Sequence, residues 1–234
     1  MPAQLEDPAL LIRATSSVAA LVVSGLECRR GERPLFTGLD FTAHAGSIVW
    51  VRGANGRGKT TLLRTLAGLS APSAGTIVRR GAAAGWALLY LAHANALKED
   101  LSVGESLAFL LRVHGDAPKT SAIAAALQCL GLASRKDAPV RTLSQGQRRR
   151  VALARLAAAF HRPGVWLLDE PYDALDADGV AALDAMLALH ARRGGITVLT
   201  SHLPLSLAEP PPSIIQLDAS VPAPMGSAAG VTRE

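Results

Sequence analysis

The chain is 234 residues long, 49% hydrophobic and only 18% charged, with a formal net charge of +5. This composition excludes a disordered polyelectrolyte and suits one large domain or two small ones, and the modest charge fits an acidic ligand or an anionic membrane face without demanding either. Two cysteines, Cys28 and Cys129, lie too far apart for a metal or redox motif; they read as buried apolar residues of a reducing compartment.

Residues 1–18 are rich in Ala, Ser and Pro without a period and read as an extension. Glu6 and Asp7 stand where a signal peptide carries positive charge, so export is not expected. From Ala20 to Gly53, three apolar runs alternate with Gly, Pro and charged residues, which predicts three strands. "KTTLLRTLAGL" then reads as a helix with Leu62, Leu63 and Leu66 on one face and Gly68 as its stop. Gly75–Leu91 returns to strands and turns. "GAAAGWALLYLAHANAL", Gly81–Leu97, lacks Asp, Glu, Lys and Arg. It is too short and too broken by glycine to cross a bilayer, and reads as a buried strand between turns.

Val103–Leu132 repeats apolar residues at three and four, predicting helices. "QGQRRRVALARLAAAF" is a further helix, "VWLLDE" a buried strand, "ADGVAALDAMLALHARR" a helix and "GITVLTS" another buried strand. Strands alternating with helices predict an α/β domain with a mostly parallel sheet over residues 19–218. The tail, 219–234, is small and Pro-containing and reads as disordered.

"GANGRGKTT" fits the phosphate-binding pattern G-x-x-x-x-G-K-[ST], with a strand before it and a helix after it. Gly53, Gly56 and Gly58, with Ala54, Asn55 and Arg57 between them, let the backbone curl its N–H groups toward phosphates. Lys59 is placed to reach the β and γ phosphates, Thr60 to ligate Mg²⁺, and Thr61 belongs with them to the ATP-binding set. In "VWLLDE", a buried strand ends in two acids, which is costly unless they meet a metal or a reacting water. Asp169 suits Mg²⁺ through its water shell, and Glu170 suits a general base.

"LSQGQRRR" raises a separate question, because three consecutive arginines suggest a basic patch for nucleic acid or membrane. Ser144 followed by Gln147 is a capping-box pattern, so a helix begins here, and Gly146 leaves its N-terminus open to an anion. Arg148, Arg149 and Arg150 then fan around the helix as an exposed shoulder and form no nucleic-acid stripe.

The phosphate loop, "LSQGQ", "VWLLDE", "DALD" and "TSH" follow the order of the ATP-binding cassette (ABC) ATPases, and the resemblance covers Ala20 to Leu217. It implies a P-loop NTPase core with an N-terminal antiparallel β subdomain and an inserted helical subdomain at about 94–160. It also implies ATP and Mg²⁺ as cofactors. Leu143, Ser144, Gln145, Gly146 and Gln147 match the signature that binds ATP held by the other subunit of a head-to-tail homodimer. Asp176 falls in the loop that crosses that dimer, and His202 at the switch histidine. Arg30 stands where many members have an adenine-stacking aromatic, and His93 where a Gln serves Mg²⁺ and water.

Among subfamilies, "LLYLAH", "PVRTLSQGQRRRVALARL" and "HARRGGITVLTSH" resemble the ATPases of bacterial cytochrome c maturation, the haem exporter subunits. Ala94, Tyr172 and Asp173 depart from that pattern. The resemblance implies a peripheral protein on the cytoplasmic face of the inner membrane. Its partners would be an integral membrane permease and haem-handling maturation proteins, with no nucleic acid expected. The helices of 103–132, with Glu105 at their start, are the expected docking region. The competing readings are another transporter's ATPase, a soluble ABC ATPase acting on nucleic acid or ribosomes, and a nucleotide-binding module without turnover.

Overall fold

The computed structural model describes residues 19–113, 115, 118–158, 163–205, 207 and 209–217; the expected extension 1–18 and tail 219–234 lie outside them. Among the described residues, eight strands form two sheets. β1 (Ala20–Arg30), β2 (Arg33–His44) and β4 (Ala74–Arg80) make an antiparallel sheet in the order β2-β1-β4. β3 (Ile48–Arg52), β5 (Ala87–Leu91), β6 (Gly164–Leu168), β7 (Ile196–Thr200) and β8 (Ser213–Gln216) make a second sheet, ordered β5-β6-β7-β3-β8. All its pairings are parallel. β8 was not expected from the sequence.

The parallel sheet is covered on both faces, as its continuous apolar strands require. Successive side chains point to opposite faces. In β3, Ile48 and Trp50 join one core, while Val49 and Val51 join the other; in β6, Trp166 and Leu168 oppose Val165 and Leu167 in the same way. The first core is roofed by α2 (Val103–Val113), α3 (Thr120–Cys129), α4 (Gln145–Ala158) and α5 (Ala177–Arg192). The second lies between the parallel sheet, the antiparallel sheet and α1 (Lys59–Leu66). Burying each Leu, such as Leu62 and Leu63 of α1, contributes roughly 1.5–3 kcal/mol.

α1 ends as its sequence indicates: Gly68 adopts φ 74°, and the Leu69 N–H returns to the Arg64 carbonyl at 2.9 Å. α2 and α3 both pack on α4 within the 94–160 segment. One expectation needs correction. Cys28 is buried, but Cys129 is exposed at the end of α3, where the helix turns outward. Glu105, exposed at the start of α2, accepts the Ser102 N–H at 2.9 Å while its own N–H donates to Ser102 Oγ at 3.3 Å. These bonds hold its carboxyl below the usual range.

Candidate functional site

The site forms where the C-terminal ends of β3, β6 and β7 meet α1. β3 runs straight into Gly53, whose φ of 151° suits glycine; a Cβ there would sit 2.8 Å from the Leu217 carbonyl. Gly58 caps α1 at φ 95° with no side-chain bond. The leading N–H groups of α1 therefore stay open, since a helix start has no intrahelical acceptors for them. Lys59 is buried, and its ammonium donates to the Gly53 carbonyl at 2.7 Å. That leaves two of its three donors for a ligand.

Across the cleft, β6 delivers Asp169 and Glu170, only 2% and 7% exposed. Thr60 Oγ1 donates to Asp169 Oδ2 at 2.9 Å, joining the phosphate loop to the acid pair. Thr200, ending β7, holds both acids: its hydroxyl donates to Asp169 Oδ1 at 3.0 Å and accepts the Glu170 N–H at 2.8 Å. Glu170 Oε2 accepts the His202 N–H at 2.9 Å. Glu170 Oε1 lies 3.3 Å from His202 Nε2. That contact is not a hydrogen bond, and this buried oxygen has no hydrogen-bond partner among the described residues. An orphaned carboxylate oxygen is costly and suits a ligand or water that completes it.

These groups line one cleft of about 650 Å³. Among the expected residues it gathers Arg30, Asn55, Gly56, Gly58, Lys59, Thr60, Thr61, His93, Asp169, Glu170 and His202; Leu35, Arg64, Ser70 and Asp173 complete it. His93 Nδ1 is 3.4 Å from Asp173 Oδ2 at the mouth. Gly53, Ala54 and Arg57 shape the loop without lining the cleft.

The signature segment stands elsewhere. Ser144 Oγ accepts the Gln147 N–H at 3.2 Å, and Gln147 Oε1 accepts the Ser144 N–H at 3.1 Å, a closed capping box at the head of α4. Leu143 is buried beneath it, and Gln145 lines a smaller cavity of about 320 Å³ shared with His93, Asn95, Arg149, Asp173 and Ala174. Gly146 is required by packing, because a Cβ there would meet the Ala174 carbonyl at 2.5 Å. Asp176 caps α5, accepting the Gly179 N–H at 2.9 Å and pairing with Arg150. Those two bonds hold its carboxyl below the usual range.

The arginines are not an exposed shoulder. Arg148 pairs with Glu99 at 2.9 Å, and Arg150 donates to the Leu130 carbonyl at 3.2 Å. Arg149 is 2% exposed. Burial pulls its pKa down, while Asp173, Asp169 and Glu170 push it back up. The sequence reading missed both Arg149 and Thr200. A signal for Arg149 existed, because it shares a helical face with Leu153 and Leu156, both fully buried.

The ABC transporter family matches residues 36–173 of the chain, from β2 through the acids of β6. The chain belongs to the ABC transporter family. Relatives of this ABC ATPase include proteins described as "Cytochrome c biogenesis ATP-binding export protein CcmA". The one from Pseudomonas putida is 48% identical over 189 residues, 78% of this chain and 89% of that protein. Those of Alkalilimnicola ehrlichii and an Escherichia coli strain are 45% and 46% identical, covering 89% and 79% of this chain and 90% and 89% of theirs. Within the family, the chain belongs with these cytochrome c biogenesis proteins. A solved putative ABC transporter ATP-binding protein from Pyrococcus furiosus superposes with TM-score 0.71 at 26% identity, over 85% of this chain and 97% of that one. The chain is a nucleotide-binding, ATP-hydrolysing enzyme of the ABC type. Among the described residues, no helix is long and apolar enough to cross a membrane.

Proposed function

We propose that this ABC ATPase binds and hydrolyses ATP with Mg²⁺ as the energising subunit of a cytochrome c biogenesis exporter. In this reading it works as a head-to-tail homodimer against an integral membrane permease, on the cytoplasmic face of the inner membrane. The observation that supports it best is the convergence of Lys59, Thr60, Asp169, Glu170 and His202 on one cleft.

The residues fit the nucleotide and the ion. The open start of α1 and the glycine-formed loop offer N–H donors and a favourable dipole end to phosphates. Lys59 adds a buried positive charge. The Thr60 hydroxyl and the Asp169 carboxylate, 2.9 Å apart, are hard oxygen donors of the type Mg²⁺ prefers, Asp169 acting through the ion's water shell. When bound, Mg²⁺ neutralises charge on the phosphate oxygens. Glu170 Oε1, buried and without a hydrogen-bond partner among the described residues, accepts a proton from the attacking water as it approaches the terminal phosphate. His202 steadies that carboxylate through its backbone N–H and presents its ring, half exposed, toward the same water. Arg30 and Leu35 bound the end of the cleft assigned to the base, with cation–π contact from Arg30 in place of an aromatic ring.

Ser144 and Gly146, which do not line this chain's own cleft, serve the nucleotide held by a second copy. The surface of α2, where Phe109 and Val113 are exposed, is the docking side for the permease. The relatives' names print cytochrome c biogenesis and export; with the resemblance carried by "PVRTLSQGQRRRVALARL" and "HARRGGITVLTSH", our reading of the substrate class is haem or a haem-carrying maturation protein.

Glu170→Gln is expected to bind ATP normally and to lose about 10²–10⁴-fold in turnover, the span of a general base. Wild-type hydrolysis in that variant removes Glu170 from the role. For the pathway, a strain whose only copy carries Glu170→Gln should lose covalent haem staining of its c-type cytochromes; normal staining rejects the biogenesis assignment and leaves a different exporter.

A further inference from the structure

Arg149 sits behind the acid pair, one turn into the signature helix, and spends its whole guanidinium on uncharged acceptors. Nη2 donates to the carbonyls of Asp169 and Glu170 at 2.8 and 2.7 Å, and Nε to that of Pro171 at 3.3 Å. Nη1 reaches the carbonyls of Ala92 and His93 and Asn95 Oδ1, at 3.0, 3.3 and 3.1 Å. A buried cation without a bound carboxylate costs several kcal/mol, which only a full set of hydrogen bonds offsets. Apolar packing would fill the same space more simply, so the bonds themselves are the reason for the residue.

What they hold is strained. Glu170 has φ 47°, a left-handed conformation that is strained for a non-glycine residue and persists only when its surroundings enforce it. Two side chains enforce it from either side: Thr200 takes the Glu170 N–H, and Arg149 takes the Glu170 carbonyl. The same guanidinium ties down the segment that carries His93, the residue facing the cleft from the other wall.

We propose that Arg149 is a positioning residue for hydrolysis: it clamps the strained peptide of Glu170 and the 92–95 segment together, so that the carboxylate and His93 face one ligand. Being anchored in α4, the clamp also makes the signature segment and the catalytic carboxylate move as one piece. The inference rests on Glu170 being the general base.

The test uses the full chain with Arg149→Lys and Arg149→Ala, beside Glu170→Gln and Arg148→Ala. Melting temperature, binding of a fluorescent ATP analogue, kcat and KM are measured for each. Arg149→Lys keeps the charge but loses the fork, and one ammonium cannot reach six acceptors on two segments. It is expected to fold and to bind nucleotide within about threefold of wild type, with kcat down at least about tenfold. Arg149→Ala is expected to lose on the order of 10²-fold in kcat, and millimolar guanidinium restores part of it. The same guanidinium does nothing for Glu170→Gln, and Arg148→Ala turns over normally.

Wild-type kcat in Arg149→Lys overturns the clamp. So does a fall in kcat matched by an equal fall in folded, nucleotide-binding protein, which is the signature of a merely structural residue. Should Arg149→Ala not fold, Arg149→Lys decides alone. If Glu170→Gln hydrolyses normally, the general-base reading falls and the clamp with it; if only the Arg149 variants are silent, the clamp alone falls.

Discussion

The proposed function assigns ligand contacts to two helix starts, and they are built in opposite ways. α1 begins at a left-handed glycine with no side-chain cap, so its leading N–H groups face the cleft unclaimed. α4 begins with a reciprocal capping box, in which Ser144 and Gln147 satisfy each other's backbone donors. An open start needs a ligand to complete it, and is matched here by Lys59 and the acid pair around it. A closed start is stable by itself and can be displayed on a surface until a partner arrives. In the proposed dimer, that difference separates a chain's own nucleotide site from the face it lends to its neighbour. Closure costs little recognition, because a Ser144 Oγ that accepts a bond still has its proton to donate.

Lys59→Ala is the hardest blow to the open start. Losing a charge-assisted contact to phosphate is worth about 1.5–3 kcal/mol, so ATP binding by calorimetry should weaken on the order of 10–100-fold. Unchanged affinity would mean that the α1 start is not the phosphate site. Gly146→Ala tests the closed start next. Its Cβ would press on the Ala174 carbonyl and push that turn away from the head of α4. Turnover should fall about tenfold, near 1.4 kcal/mol, while affinity for ATP at the α1 start stays as it was. A parallel loss of affinity would show that the two starts are not separate. Ser144→Ala is the mildest. Losing the cap costs about 1 kcal/mol, or roughly 2–4 °C in melting temperature for a domain of this size. A larger effect on turnover than on melting would show the hydroxyl acting on a ligand beyond its capping bond.

The sequence carried the local parts of this comparison well. The phosphate loop, the capping box and the acids ending β6 are each written within a few consecutive residues, and the first two form through bonds among near neighbours. It carried the distant parts poorly. Arg149 looked like one of three surface charges, because its burial is decided by carbonyls of 92–95 and 169–171, brought in from segments far along the chain. β8 was invisible for a related reason: four residues after a run of prolines give little period, and the strand exists because it pairs with β3. Thr200 shows an intermediate case. Its place at the end of an apolar strand was legible, but its double bond to Asp169 and Glu170 depends on β6 lying next to β7.

The position of β3 in the sheet has a consequence for synthesis. This strand leads into the phosphate loop, yet both its neighbours, β7 and β8, come from the last third of the chain, and Leu217 closes against Gly53. The loop motif therefore leaves the ribosome long before the strands that must flank it. At about 5–20 residues per second, the interval is roughly 10–30 s. During it both edges of the apolar β3 lack the strands that flank them in the finished sheet. Nucleotide competence is thus a late event in the life of each chain, reached only when its distal strands are in place.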